Sequence, residues 1–202
     1  DGPGGGEVEV DALVAFGGDP VKRETAAAVL GALGRLGGPA ALRFLRGERG
    51  LLSGDAHLIE AAIEALGATK DPAAVPALVE ILDSGHKELA PAACRALVAG
   101  MPEDARVREA VLRLAGHKSS RLRACAVPAL GRVAPEGAFL RLVRFLHTDR
   151  NPRVRAEAAA ALGGLRNKDA VPHLVRASEN DQNPLVRSKA QAALEALTES
   201  SE

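Results

Sequence analysis

The sequence predicts an all-α protein, a right-handed α-solenoid built from stacked antiparallel helix pairs. Three observations predict it. Of the 202 residues 47% are hydrophobic but only 2% aromatic, with no Trp, no Tyr and four Phe. Alanine and leucine dominate and β-branched residues other than Val are scarce, a composition that favours closely packed helices over a pleated sheet. The second observation is a repeat: Leu33, Leu66, Leu97, Leu130, Leu162 and Leu194 recur at intervals of 33, 31, 33, 32 and 32. The third is a companion ladder, Leu13, Leu45, Leu78, Ala110, Leu142 and Leu174, with the same period. Two ladders of one period mean two elements per repeat. A helix pair of this length cannot bury both of its apolar sides alone, so neighbouring pairs must stack and share a core.

The elements follow in order. Residues 1–6 are a Gly-rich lead, expected to be flexible, and residues 7–17 read as the second helix of a repeat whose first helix is missing. With no Met at position 1, this start reads as a trimmed chain, a remnant of a longer one, or a disordered natural terminus. Repeats follow at about 19–50, 54–84, 86–116, 118–148 and 150–180, a final first helix at 183–198, and a frayed tail at 199–202, all within one domain spanning 7–198. In the first helix of the fifth repeat, Ala158, Ala159, Ala161, Leu162 and Leu165 recur three and four apart, which gives one apolar stripe. Phe139, Leu142, Val143 and Leu146 do the same on a second helix. Asp71-Pro72, Asn151-Pro152 and Asn183-Pro184 place a capping side chain before a proline at the first helical position. Gly85, Gly116 and Gly163-Gly164 follow the stripes as stop signals.

These residues carry a family resemblance. Residues 149–178, DRNPRVRAEAAAALGGLRNKDAVPHLVRAS, resemble the bacterial HEAT repeat of the type also found in phycobilisome lyases, through their Asp, Asn-Pro, Val-Arg, Ala-Leu-Gly and Ala-Val-Pro-x-Leu steps. Residues 71–82 and 183–194 repeat its halves. Repeat 86–116 departs, since Val98 and not Gly follows Leu97, and Arg108 stands where Pro76 and Pro172 stand. The resemblance implies a HEAT/armadillo-like superhelix that presents a concave surface, lined by second helices, to protein partners.

Chemistry finds little foothold. The five histidines, His57, His86, His117, His147 and His173, are followed by Leu, Lys, Lys, Thr and Leu, so the repeated His-Glu pairs of the HEAT-like hydroxylase that modifies deoxyhypusine are absent. HEAT-like alkylpurine glycosylases hold DNA with aromatic side chains that this chain lacks. A phycobilin-lyase-like accessory role stays open, although no residue pattern marks a tetrapyrrole site. His86 and His117 sit in Gly-His-Lys tripeptides and His147 closes the next repeat, and all three read as solvated turn residues. Cys94 and Cys125 lie among alanines and read as small core residues, not as nucleophiles, a disulfide framework or zinc ligands. No catalytic residue, metal or cofactor is expected, and the chain is read as no enzyme. With no apolar run long enough to span a membrane, and no signal peptide, a soluble cytoplasmic protein is expected.

Charge is more informative. Lys+Arg and Asp+Glu both number 26, yet residues 1–100 hold 9 basic and 14 acidic residues and residues 101–202 hold 17 and 12. Arg123, Arg155 and Arg187 each lie seven residues before a ladder leucine, with Asp149 and Asp181 in turns between repeats, which reads as a structural ladder of Asp–Arg pairs. Arg141, Arg144, His173 and Arg176 fall at equivalent offsets on two second helices and should form a grid on the concave face, with Arg113 bordering it. The reading is a non-catalytic scaffold or adaptor that uses this grid to bind an acidic or mixed-charge segment of another protein. Its rival is a nucleic-acid backbone or other polyanion bound by the basic stretch 118–155, against which the neutral net charge and missing stacking rings argue. An uncovered apolar side at the half repeat leaves self-association open.

Overall fold

The computed structural model describes residues 20–47, 50–83, 88–133 and 136–199; the lead, the half repeat with Leu13, Gly85, His86 and the final residues 200–202 lie outside them. Every regular element among the described residues is helical. The chain divides into two compact units, Asp1–Asp104 and Ala105–Glu202, and the division falls inside the divergent repeat 86–116.

In the first unit, α1 (Pro20–Leu36), α3 (Ala56–Ala68) and α5 (Ala90–Gly100) are first helices, and α2 (Gly38–Arg46) and α4 (Val75–Asp83) are second helices. Helix α3 packs between α1 and α5, while α2 lies against α1 and α3, and α4 against α5. In the second unit the first-helix row is α7 (Ser120–Ala126) running through a 3₁₀ turn into α8 (Leu130–Val133), then α10 (Pro152–Gly164) and α12 (Pro184–Glu199). Its second-helix row is α6 (Ala105–Ala115), α9 (Ala138–Thr148) and α11 (Val171–Asn180). Helix α10 is covered by α12 on one side and by α7 on the other, with α9 beneath it.

Most ladder residues form the core, although Leu33 and Leu194 are only half-buried. Leu45, Leu66, Leu78, Leu97, Leu130, Leu142, Leu162 and Leu174, with Ala110, have no exposed surface, and no polar or charged residue is buried among those described. Burying a leucine fully stabilises the fold by about 1.5–3 kcal/mol, so these layers and not the charged turns supply the main driving force.

Helix starts follow from the capping side chains. The N–H groups of Ala73, Arg153 and Leu185 donate to the side-chain oxygens of Asp71, Asn151 and Asn183 at 2.8, 2.9 and 3.0 Å. The stops correct one expectation. Gly163 does not end its helix; it lies inside α10, where a Cβ would sit 2.8 Å from the Cβ of Ala193 on α12. Gly34 and Gly67 meet Ala65 and Ala96 in the same way. The glycine after a ladder leucine therefore serves close approach of successive first helices. The turns after α3 and α10 instead pass through Lys70 and Arg166, both at φ 52°, a left-handed conformation rarely adopted without glycine. In the divergent repeat, Arg108 replaces the proline and its Nε donates to the Val133 carbonyl at the end of α8, at 2.9 Å.

Candidate functional site

A row of arginines joins the turns of the second unit. Arg123 on α7 donates through Nε and Nη2 to both carboxylate oxygens of Asp149, each at 2.8 Å, and through Nη1 to the carbonyls of His117 and Lys118 in the turn before its own helix. Arg155 repeats the arrangement one module on: Asp181 accepts at 2.8 and 2.9 Å, and the Asp149 and Arg150 carbonyls take Nη1. Asp149 and Asp181 also accept the N–H groups of Asn151 and Asn183. Burial would raise the Asp149 carboxyl, but the Arg123 hydrogen bonds, the Asn151 N–H and the charges of Arg123 and Arg155 hold it below the usual range. At Asp181 the Arg155 hydrogen bond is the largest influence and again lowers it, against burial. Each aspartate thus ties the end of one repeat to the first helices of two. Among the described residues Arg187 repeats the backbone half of the pattern, donating to the carbonyls of Asp181 and Gln182 at 2.8 and 3.2 Å.

Beside the first rung lies a cleft of about 400 Å³ between α6 and α9. Leu112, Leu130 and Phe145 line it together with Arg141, Arg144 and Arg150. The only carboxylate lining it, Asp149, is already matched by Arg123, which leaves three arginines uncompensated by any lining acid. A lining that combines apolar side chains with guanidinium groups can hold an aliphatic stem and bind a carboxylate through paired N–H groups.

The expected grid is divided in two. Arg141 and Arg144 line this cleft, whereas Arg176 lines a second one of about 310 Å³ with His147, Asn180 and the Arg155–Asp181 rung. Arg113 is exposed on α6 and does not line the first cleft; Leu112, Ala115 and Gly116 do. A helix turns 100° per residue, so an offset of one position is enough to move a side chain off the site. Arg150 belongs to the basic stretch 118–155 and not to the expected grid, and its place in the Asp149-Arg150-Asn151-Pro152 turn puts it beside the rung.

His147 also differs from expectation. It is no solvated turn residue but the penultimate residue of α9, half-buried, with Nε2 3.1 Å from Nδ1 of His173 on α11. Phe139 meets the His173 ring edge-on, with centroids 6.1 Å apart. Burial, then His173 and Arg176, push the His147 imidazole below its ordinary value. Because the pair shares one hydrogen bond, at least one of the two rings is neutral. His117, in contrast, is exposed in its turn, and its Nδ1 accepts the Ser119 N–H at 2.9 Å.

The family model for HEAT repeats matches residues 10–98 and 109–195, most of the chain. The chain belongs to the HEAT-repeat family. Its stacked helix pairs are accordingly those of an α-solenoid, a repeat scaffold. Among solved structures this HEAT array is similar to the complex of CpcE and CpcF of phycocyanin lyase from Nostoc sp. PCC7120, at 26% identity over 97% of this chain and 77% of that one, with a TM-score of 0.50. Human deoxyhypusine hydroxylase in complex with glycerol is a fainter likeness, at 19% identity over 98% of this chain and 86% of that one, with a TM-score of 0.44. No curated protein matches the chain in sequence. Among the described residues of the HEAT array, no group of three or more His, Cys, Asp and Glu is placed to hold a metal ion, and no helix is long and apolar enough to cross a membrane. Cys94 is buried in α5, while Cys125 is half-buried in α7 with its thiol toward the Leu122 carbonyl.

Proposed function

We propose that the protein is a non-catalytic HEAT-repeat adaptor whose second-helix face captures an acidic or mixed-charge segment of a partner protein. The observation that carries this reading is the cleft between α6 and α9, lined by Arg141, Arg144 and Arg150 beside Leu112, Leu130 and Phe145, whose single lining carboxylate is neutralised from within. The segment's acidic side chains take the guanidinium edges while its aliphatic part covers Leu112 and Phe145. Stacked helices fix the backbone positions that carry Arg141 and Arg144, so no backbone ordering is lost there on binding. The test is affinity capture from the native host with the Arg141→Glu/Arg144→Glu variant. Capture falls at least tenfold while helical circular dichroism and melting stay unchanged; unaltered capture removes the site.

The polyanion reading loses ground, because two of the nine basic residues in 118–155, Arg123 and Arg155, are spent on aspartates of the ladder. A lyase-like accessory role has the likeness to the CpcE–CpcF complex in its favour. Copurification of a coloured tetrapyrrole would support it, and a colourless protein from a pigment-producing host would count against it.

A further inference from the structure

Two clefts flank α9, and both present arginine to solvent. The first, between α6 and α9 and about 400 Å³, is lined by Arg141, Arg144 and Arg150; the second, between α9 and α11 and about 310 Å³, is lined by Arg176. All four of these residues are exposed. The carboxylates lining the clefts belong to Asp149 and Asp181, which are matched by Arg123 and Arg155. In the second cleft Arg155 is spent on that rung and His147 Nε2 meets His173, so Arg176 is the cation left for a ligand. Arg144 and Arg176 stand one repeat apart, at equivalent positions of successive second helices. The two cationic sites therefore recur with the spacing of packed helices, about 8–10 Å.

The ridge between the clefts is not polar throughout. Leu140 lies one turn before Arg144 on the same face of α9, and at 71% exposure it is the most exposed large hydrophobic residue described in the second unit. A single exposed leucine is ordinary on a protein surface; this one stands on the ridge that a chain reaching from one cleft to the other must cross. The spacing selects the form of such a chain. In a β-strand, side chains on one face stand about 7 or about 13 Å apart, and neither matches. In polyproline II every third side chain returns to the same face after about 9 Å, which does. A helix covers about 10 Å between residues two turns apart, but the side chains between them meet the ridge of Leu140 and Arg144 and lift the anchors out of the clefts.

Resting on the adaptor reading above, we propose that the captured acidic segment lies across α9 in polyproline II form, with acidic side chains at i and i+3. One carboxylate meets Arg141 and Arg144 in the first cleft and the other meets Arg176 in the second. The side chains at i+1 and i+2 point sideways along the ridge, where an apolar one covers Leu140. Register, and not acidity alone, then selects the partner, because a segment whose acids are adjacent or two apart satisfies one cleft only. A segment stiffened by proline loses little freedom on docking.

The test titrates the whole chain into fluorescent peptides and reads their anisotropy. The probe carries Glu-Leu-Pro-Glu between prolines; its comparisons move the second Glu one residue closer, replace it with Gln, or replace the Leu with Ser. The probe is expected to bind roughly fivefold or more tightly than the closer-spaced and the Gln peptides, since its second contact is made within one molecule. Arg176→Gln removes that difference without weakening the Gln peptide. Leu140→Ser removes the preference for leucine over serine, and circular dichroism stays unchanged in both variants. No binding of the probe, equal affinity for the two spacings, or a spacing preference that survives Arg176→Gln overturns the proposal. If native capture then still falls in the Arg141→Glu/Arg144→Glu variant, the adaptor reading stands without it; if capture is unaltered as well, both fall.

Discussion

Gly163 and Ala193 touch so closely that a Cβ on the glycine would lie 3.0 Å from the alanine Cα, backbone that cannot swing aside. At the equivalent Gly131, the nearest atom to such a Cβ is the Leu165 Cδ2, the free end of a side chain. Gly163→Ala is therefore expected to lose about 1–3 kcal/mol through overpacking, despite the better helix propensity of alanine. Gly131→Ala should be neutral or stabilising. Urea unfolding of the two variants decides this, and equal effects would mean that the helices can separate without cost.

The ladder pairs are largely shielded, with side-chain exposures of 16% for Arg155 and 11% for Asp181. Truncating one partner leaves the other charge poorly solvated and uncompensated. Asp181→Ala should cost roughly 2–4 kcal/mol, while the double variant Arg155→Met/Asp181→Leu should cost less than the single one. A double-variant loss equal to the sum of the singles would contradict a coupled pair.

The same carboxylates set an acid limb. Their native values are lowered, so the stability they contribute is complete above the unfolded value of about 3.9 and is lost as pH falls through the native ones. Melting followed from pH 5 down to pH 2 should show a steep decline that flattens in Asp181→Asn.

At His147 the imidazole is also held below its ordinary value, here by burial and then by its neighbours His173 and Arg176. The unfolded chain then binds a proton that the folded one resists. Stability from this site is full above about pH 6.5 and drains as pH falls below it. The groups facing His147 are His173, Arg176 and the Arg155–Asp181 rung. His147→Gln should remove the sensitivity between pH 6.5 and 5, measured as the slope of the melting temperature; a slope that persists would place its source elsewhere.

Arg166 sits at φ 52° in the turn that follows α10. Glycine adopts this conformation without the steric penalty of a Cβ, so Arg166→Gly should stabilise the protein by up to about 1 kcal/mol, offset in part by the larger entropy of glycine in the unfolded chain. Denaturant midpoints are the measure.

Periodicity made the helices and their layers legible, because burying a leucine is additive and local. What escaped it were features set by angle and distance across modules. Gly163 reads as a stop signal until the neighbouring helix is in place. His147 reads as a turn residue because α9 runs to Thr148 with no glycine to mark its end. The Asp149 and Asp181 rungs could be read from spacing, since one period brings turn and helix together. Arg113 and Arg150 show the limit: which of several arginines enters a cleft depends on one hundred degrees of helix rotation and on the path of a turn, and neither leaves a periodic trace.

The positions that hold Arg123, Arg155 and Arg187 in the later repeats hold Ala26, Ile59 and Ala90 in the earlier ones. In a repeat array, resistance to opening is the sum of what each module contributes and what each joint adds. In residues 20–104 the ladder-arginine positions are hydrocarbon and the His57–Glu24 contact between α1 and α3, at 3.6 Å, is largely exposed, while 105–199 have joints that are also cross-braced by shielded Arg–Asp pairs. Under rising tension or denaturant the molecule should consequently part like a zip fastener from its earlier teeth, with the braced half the last to let go.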